Sequence, residues 1–230
     1  MAALVRVGLS GRVATVTMDR PEVHNAFNAE LIAELTAALA RVGGDPEVRA
    51  VVLAAEGKSF SAGADINWMR AMAGFGEAEN HADALKLAEL MRTLAYLPKP
   101  TIARVHGSAF GGGVGLVACC DVSITTTHVH FGLTESKLGL VPAVISPYVV
   151  AAIGARHAKR WFQSGAMFDA QHALAMGLVH EIAADGELDG LVARELEALL
   201  KAGPTAMLVA KRLVDLSAWL GRLETSSRDF

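Results

Sequence analysis

With 230 residues, 52% of them hydrophobic and 22 of them glycine, the chain is long enough to bury a sizeable core in one large or two small domains. A net charge of −3 with no Lys/Arg-rich run leaves no electrostatic footprint for nucleic acid or an anionic membrane surface. Its only cysteines, Cys119 and Cys120, are adjacent in an apolar run, so they form no CxxC metal pair and read as reduced core thiols, the pattern of a cytoplasmic protein.

The opening segment alternates in polarity and predicts a hairpin, with Leu4 to Leu9 and Val13 to Met18 flanking a turn at Ser10 and Gly11. That alternation, and the lack of any apolar run near the ~20 residues of a membrane span, predict neither an export signal nor a transmembrane segment. Asn28 is placed to cap a helix in which Leu31, Leu35 and Leu39 recur until Gly43 and Gly44 stop it. Next comes "VRAVVLAAEG", a buried strand leading through "SFSAGAD" into the helical "INWMRAMA". Ala82 to Leu97 reads as a helix ended by "PKP". The strand "TIARVHG" then leads through "SAFGGG" into the helical "VGLVACC", and a further strand, "DVSITT", precedes "FGLTESKLGLVP". Strands alternating with helices predict a parallel sheet with crossover connections. From Pro147 onward the pattern is almost wholly helical: "YVVAAIGARHAKRWFQS", "DAQHALAM" with Asp169 as cap and Gly177 as stop, Leu188 to Lys201, and Pro204 to about Leu220.

Two of these turns join a strand to a helix through small residues, leaving N–H groups at the helix starts without intrahelical partners. If the two strands neighbour each other, both turns lie at one carboxyl edge, and two convergent amides make an oxyanion hole. Glycine at Gly111, Gly112 and Gly113 would permit close approach of a ligand. Two other motifs compete. "GVGLVA" matches GxGxxA, with Glu135 at the distance of a ribose ligand, but it does not open the first strand-helix unit and Glu135 falls in a turn-like segment. "SFSAG" approximates a nucleophile elbow but carries Ser59 where glycine is required. His128 and His130 lack a third ligand at useful spacing and read as surface histidines rather than a metal site.

Four ordered segments, "RPEVHNAFN", "SFSAGADI", "HGSAFGGGVGLVACCDVSI" and "FGLTESKLGLVP", resemble the crotonase family, the enoyl-CoA hydratase/isomerase superfamily, over residues 4 to 213. The wording of the last two is most similar to its bacterial methylglutaconyl-CoA hydratase branch, which implies a place in fatty acid or leucine catabolism. The resemblance implies an α/β fold with a crotonase-like ββα-repeat spiral core over residues 1–146 and a helical C-terminal region over 147–230, acting as one unit. It implies an oxyanion hole from the Ala64 and Gly112 amides, with Glu135 as acid/base. It places CoA and acyl contacts, largely through backbone groups, along His24, Ala26, Ala62, Asp65, Ile66, Gly111, Gly115 and Pro142. No metal or redox cofactor is implied, coenzyme A being part of the substrate, and the expected assembly is a homotrimer or dimer of trimers.

This sequence departs from the family pattern at three points. Gly115 stands where the hydratases carry their first carboxylate, so Glu135 is the one acid retained, and glycine is expected to leave a space there. "AVIS" at Ala143 to Ser146 replaces a glycine-rich segment, changing the acyl pocket. The end, "LSAWLGRLETSSRDF", is shorter than the family's and predicts a more open site and weaker assembly. The leading expectation is a hydro-lyase that hydrates a 2-enoyl-CoA, branched or carboxylated such as 3-methylglutaconyl-CoA, or runs the reverse dehydration. The alternatives are a one-glutamate double-bond isomerase and a catalytically weak acyl-CoA-binding subunit.

Overall fold

In the computed structural model, which describes residues 3–72 and 74–226 (71–72 and 218–226 in backbone only), each strong local signal becomes the expected element. The predicted segment ends at Met1, Ala2, Ala73 and 227–230 lie outside the described residues. Strands β1 (Val5–Ser10) and β2 (Val13–Met18) pair antiparallel, and the alternation of β2 sends Ala14, Val16 and Met18 into the core. Helix α1 (Ala29–Gly44) starts where the Leu31 N–H donates to Asn28 Oδ1 at 2.8 Å, and its Leu31, Leu35 and Leu39 are fully buried.

The continuous apolar runs become inner strands. β3 (Ala50–Ala55) and β4 (Thr101–Val105) pair parallel, and β6 (Val122–Thr126) extends the sheet on the far side of β4. Between β3 and β4 run α2 (Ile66–Met72) and α3 (Glu77–Ala95); between β4 and β6 run β5 (Ala109–Phe110) and α4 (Gly112–Cys119). Helix α3 starts earlier than apolar periodicity predicts. "EAENHAD" carries no apolar stripe, and its start is set by the Gly76 N–H donating to Glu79 Oε2 at 2.9 Å.

The region after Pro147 is less purely helical than expected. Helix α5 (Ser146–Ser164) is broken at Gly154, and β8 (Met167–Asp169) precedes α6 (Ala170–Ala175). Strand β9 (Glu181–Ala183) comes before α7 (Leu188–Lys201) and α8 (Pro204–Ser226). The main sheet thus has the order β1-β2-β3-β4-β6-β9, parallel except for the first pair. β5, β7 (His130–Gly132) and β8 form a second, small sheet.

One sheet face meets α1, α3, α4 and α5 through a core that includes Leu35, Leu53, Leu90, Leu94 and Leu116. The other, through Val52, Ile102 and Ile124, meets Leu188 and Val192 of α7. Cys119 and Cys120 are buried on α4 and just beyond it, and burial pushes both thiols above the ordinary range, so they stay protonated. The parallel pairing of β3 and β4 brings both strand-to-helix turns to one edge.

Candidate active site

Asn25 organises the first turn. Both His24 and Asn25 have left-handed backbone, at φ 56° and 53°, and the Asn25 side chain is fully buried. Asn25 Oδ1 accepts the Arg20 N–H at 2.9 Å, and its Nδ2 donates to the Glu56 and Ser59 carbonyls at 2.8 and 2.9 Å. Ser61 Oγ donates to the Asn25 carbonyl at 2.8 Å and accepts the Gly63 N–H at 3.2 Å. The elbow-like serine is therefore fully buried and engaged, which removes it as a nucleophile.

A parallel bridge between Phe27 and Ala64 then aims the first donor. The Phe27 N–H donates to the Gly63 carbonyl at 2.6 Å and the Asp65 N–H to the Phe27 carbonyl at 2.9 Å, so the N–H of Ala64 itself points the other way. Ala62, Ala64 and Ile66 are exposed on that outer face, while Ser61, Gly63 and Asp65 are buried beneath it.

The second turn lies directly against the first. The Phe110 N–H donates to the Ser61 carbonyl at 2.9 Å and the Gly111 N–H to the Gly132 carbonyl at 2.9 Å. A Cβ at Gly63 would stand only 3.6 Å from the Gly111 Cα. Gly111 has φ 49°, ψ −119°, a conformation that needs glycine, and it turns the chain into α4 with Gly112 as first residue. Among the described residues neither the Ala64 nor the Gly112 N–H has a hydrogen-bond partner. Two free amides on abutting turns, one at the positive end of a helix, favour an oxygen that gains negative charge.

The bare backbone has a different cause from the one expected. A Cβ on Gly112 would meet the Phe27 ring, with Cδ2 at 2.8 Å, and one on Gly113 would meet Ser61 Cβ at 2.9 Å. Protein packing, not ligand approach, excludes side chains at these two positions. Gly111 does face the site: its Cβ would lie 3.0 Å from Glu135 Oε1.

Glu135 sits in the 3-10 turn Thr134–Leu138. Its Oε2 is buried without a hydrogen-bond partner, and burial raises the carboxyl above its ordinary pKa. Its closeness to Gly111 is incompatible with the ribose role of a dinucleotide motif, which would need the phosphates to lie between them. The expected space at Gly115 is closed. A Cβ there would stand 2.9 Å from Ile145 Cβ and 3.2 Å from Met91 Cε, and Ile145 is 2% exposed.

The remaining candidates are distributed around the turns. His24 is exposed, with Nδ1 3.1 Å from Ser59 Oγ, and its carbonyl accepts the Ala62 N–H at 2.9 Å. The Ala26 carbonyl accepts Arg20 Nη1 at 2.8 Å, and the carbonyl of buried Pro142 accepts the Ser146 N–H at 2.9 Å. These backbone groups bond within the protein, so on this segment the Ala64 amide and the Ile66 side chain are what face outward. Asp65 also acts inward. Its Oδ2 meets Arg20 Nη1 at 2.8 Å, and its Oδ1 accepts the Asn67 and Trp68 N–H groups at the start of α2. Burial pushes its carboxyl up, but the Arg20 hydrogen bond, the two amides and the Arg20 charge together hold it below the usual carboxylate range.

Asp65→Asn leaves Arg20 without its counter-charge, and we expect a loss of about 3 kcal/mol at neutral pH. The stabilisation by Asp65 is present above its unfolded pKa and fades as pH falls through the lower folded one, so the gap to wild type narrows on acidification. Urea titrations at several pH values measure it; a constant gap would remove the ion pair as the cause.

Two abutting strand-to-helix turns at the carboxyl edge of a mostly parallel sheet, with a second small sheet beside them, define the crotonase-type α/β fold. An enoyl-CoA hydratase structure from Shewanella pealeana shares it with TM-score 0.91 at 41% identity, over 98% of this chain and 86% of that one. The chain belongs to the enoyl-CoA hydratase/isomerase family, whose model matches residues 8–226. It is 31% identical over 207 residues to a short-chain-enoyl-CoA hydratase of Clostridium acetobutylicum, across 89% of this chain and 78% of that protein. It is 33% identical over 211 residues to 4-chlorobenzoyl coenzyme A dehalogenase-2 of Arthrobacter, across 90% and 76%. None of these three names is that of a methylglutaconyl-CoA hydratase.

Proposed function

We propose that the protein hydrates a 2-enoyl-CoA, with Glu135 as the sole acid/base and the Ala64 and Gly112 amides holding the thioester oxygen. The observation that carries this is Glu135, whose Oε2 is buried without a partner and whose Oε1 lies against Gly111, the residue before the Gly112 amide. As the water oxygen bonds to the acyl β carbon, Glu135 takes a proton from that water, and the carbonyl becomes an enolate held by the two N–H groups. Protonated Glu135 then delivers the proton to the α carbon. Water and substrate supply every atom, and the carboxylate is regenerated. Burial raises the basicity of Glu135, as the first proton transfer requires. The names of the Shewanella and Clostridium relatives support hydration, and the wording of the sequence supports a branched or carboxylated acyl group such as 3-methylglutaconyl.

A second reading is double-bond isomerisation, favoured by Ile145 filling the space at Gly115, where the hydratases carry their first carboxylate. There Glu135 moves one proton from the α to the γ carbon of the acyl chain and no water is needed. Incubation with a 2-enoyl-CoA and, separately, a 3-enoyl-CoA decides. Loss of the conjugated thioester absorbance from the first marks hydration, and its gain from the second marks isomerisation. No change with either would reduce the protein to an acyl-CoA-binding subunit.

A further inference from the structure

The free amides of Ala64 and Gly112 stand on different turns, and one buried residue touches both. Phe27 brackets Ala64 with its backbone, its N–H donating to the Gly63 carbonyl at 2.6 Å and its carbonyl accepting the Asp65 N–H at 2.9 Å. Because the Gly63–Ala64 peptide is planar and trans, holding that carbonyl also fixes the direction of the Ala64 N–H. The side chain of Phe27 reaches the second turn. Its ring, 1% exposed, lies so close to the bare Cα of Gly112 that a Cβ there would stand 2.8 Å from Cδ2. Asn25, two residues earlier, ties this segment to the Glu56 and Ser59 carbonyls, so Phe27 is anchored independently of the two amides.

We propose that Phe27 is the positioning residue of the oxyanion hole, setting the separation of its two donors: backbone bonds hold the Ala64 amide, and the ring sets how near the first residue of α4 can come. It touches no reacting atom. Two donors serve one oxygen only if both lie within about 2.7–3.1 Å of where its charge develops, so their spacing matters as much as their presence. A smaller side chain at 27 would leave a void beside Gly112, and the first turn of α4 would settle partly into it. The Ala64 amide would stay in place, because the backbone bonds that bracket it survive a side-chain substitution. One donor would then move relative to the other. The loss should fall on the enolate, where charge has developed on the oxygen, and spare the binding of the neutral thioester.

The inference rests on the proposed thioester site, but its test reads the donors without requiring hydration. Acetoacetyl-CoA loses the proton between its two carbonyls to the buffer, and the enolate, detected by its ultraviolet absorbance, carries charge on the thioester oxygen that the amides would hold. The midpoint of that ionisation for ligand bound at saturation is compared in Glu135→Gln protein, where no Glu135 carboxylate titrates beside it, and in the same protein carrying Phe27→Leu or Phe27→Ala. The parent should bring the midpoint below that of free acetoacetyl-CoA. Since losing a donor outright is worth ~10²- to 10³-fold, a displaced donor should raise the midpoint by about one pH unit in the conservative Phe27→Leu and by more in Phe27→Ala. A bound ligand's midpoint does not change with the fraction of folded protein, so a merely destabilised variant would keep the parental value. In otherwise wild-type protein, Phe27→Leu should lower kcat for a 2-enoyl-CoA about tenfold with KM little changed. A parental midpoint kept in both variants would overturn the role of Phe27 alone. A parental midpoint equal to that of the free ligand, or no binding of acetoacetyl-CoA, would overturn the oxyanion reading and the role of Phe27 with it.

Discussion

Glu135→Gln should leave a folded protein that still binds acyl-CoA but turns over ~10²- to 10⁴-fold more slowly, because the amide neither accepts the proton of water nor returns it to the α carbon. The rate of wild type should fall on acidification with a midpoint above the ordinary glutamate value of about 4.3, since burial disfavours the charged carboxylate. That limb should vanish from the residual activity of the variant. Stability moves the opposite way. The folded pKa is raised, so the unpaired charge weighs against the fold as pH rises from the unfolded pKa through the folded one. Glu135→Gln removes that penalty, and its Tm should exceed wild type near pH 8 and match it below about pH 4. A Tm equal to wild type at both pH values, with turnover unchanged, would place Glu135 outside the mechanism.

The elements with a purely local cause could be read from the chain. Asn28 caps α1 through its own side chain, and the period of Leu31, Leu35 and Leu39 needs no partner to be recognised. The apolar runs of β3 and β4 announce inner parallel strands, and that placement alone puts the two turns at one edge. The two- and three-residue strands β5, β7, β8 and β9 are too short to show a period, and they form only because neighbouring backbone supplies partners. Asn25 carries a faint signal, an asparagine in a stretch with no helix or strand pattern, but its four-way clamp becomes visible only in space. The Arg20–Asp65 pair and the Gly115–Ile145 contact join residues from different turns and helices, and no spacing rule marks them. The glycine run was legible as a place where side chains are excluded. What excludes them, Phe27, Ser61 and Ile145, was not.

Gly115→Glu, which would recreate a two-carboxylate site, should fail as a single substitution. Its Cβ would have to lie 2.9 Å from Ile145 Cβ and 3.2 Å from Met91 Cε, and both neighbours are buried against the core, so neither can swing into solvent. Overpacking of that kind costs about 1–3 kcal/mol, and a carboxyl enclosed by an isoleucine and a methionine adds a desolvation cost of similar size or larger. The expected result is a loss of roughly 3 kcal/mol or more, read as a large drop in urea midpoint and in soluble yield. Joining it to Ile145→Gly removes the obstructing side chain and leaves room for the new carboxyl. The double variant should therefore recover much of the lost stability, a coupling that independent sites would not show. Two carboxyls facing one small space would also raise the pKa of one of them, moving the acid limb of the rate profile upward from its position in wild type. If the single variant is as stable as wild type, Ile145 does not hold the space at Gly115. If the double variant is no more stable than the single one, the cost lies in the buried charge rather than in the packing of these two residues.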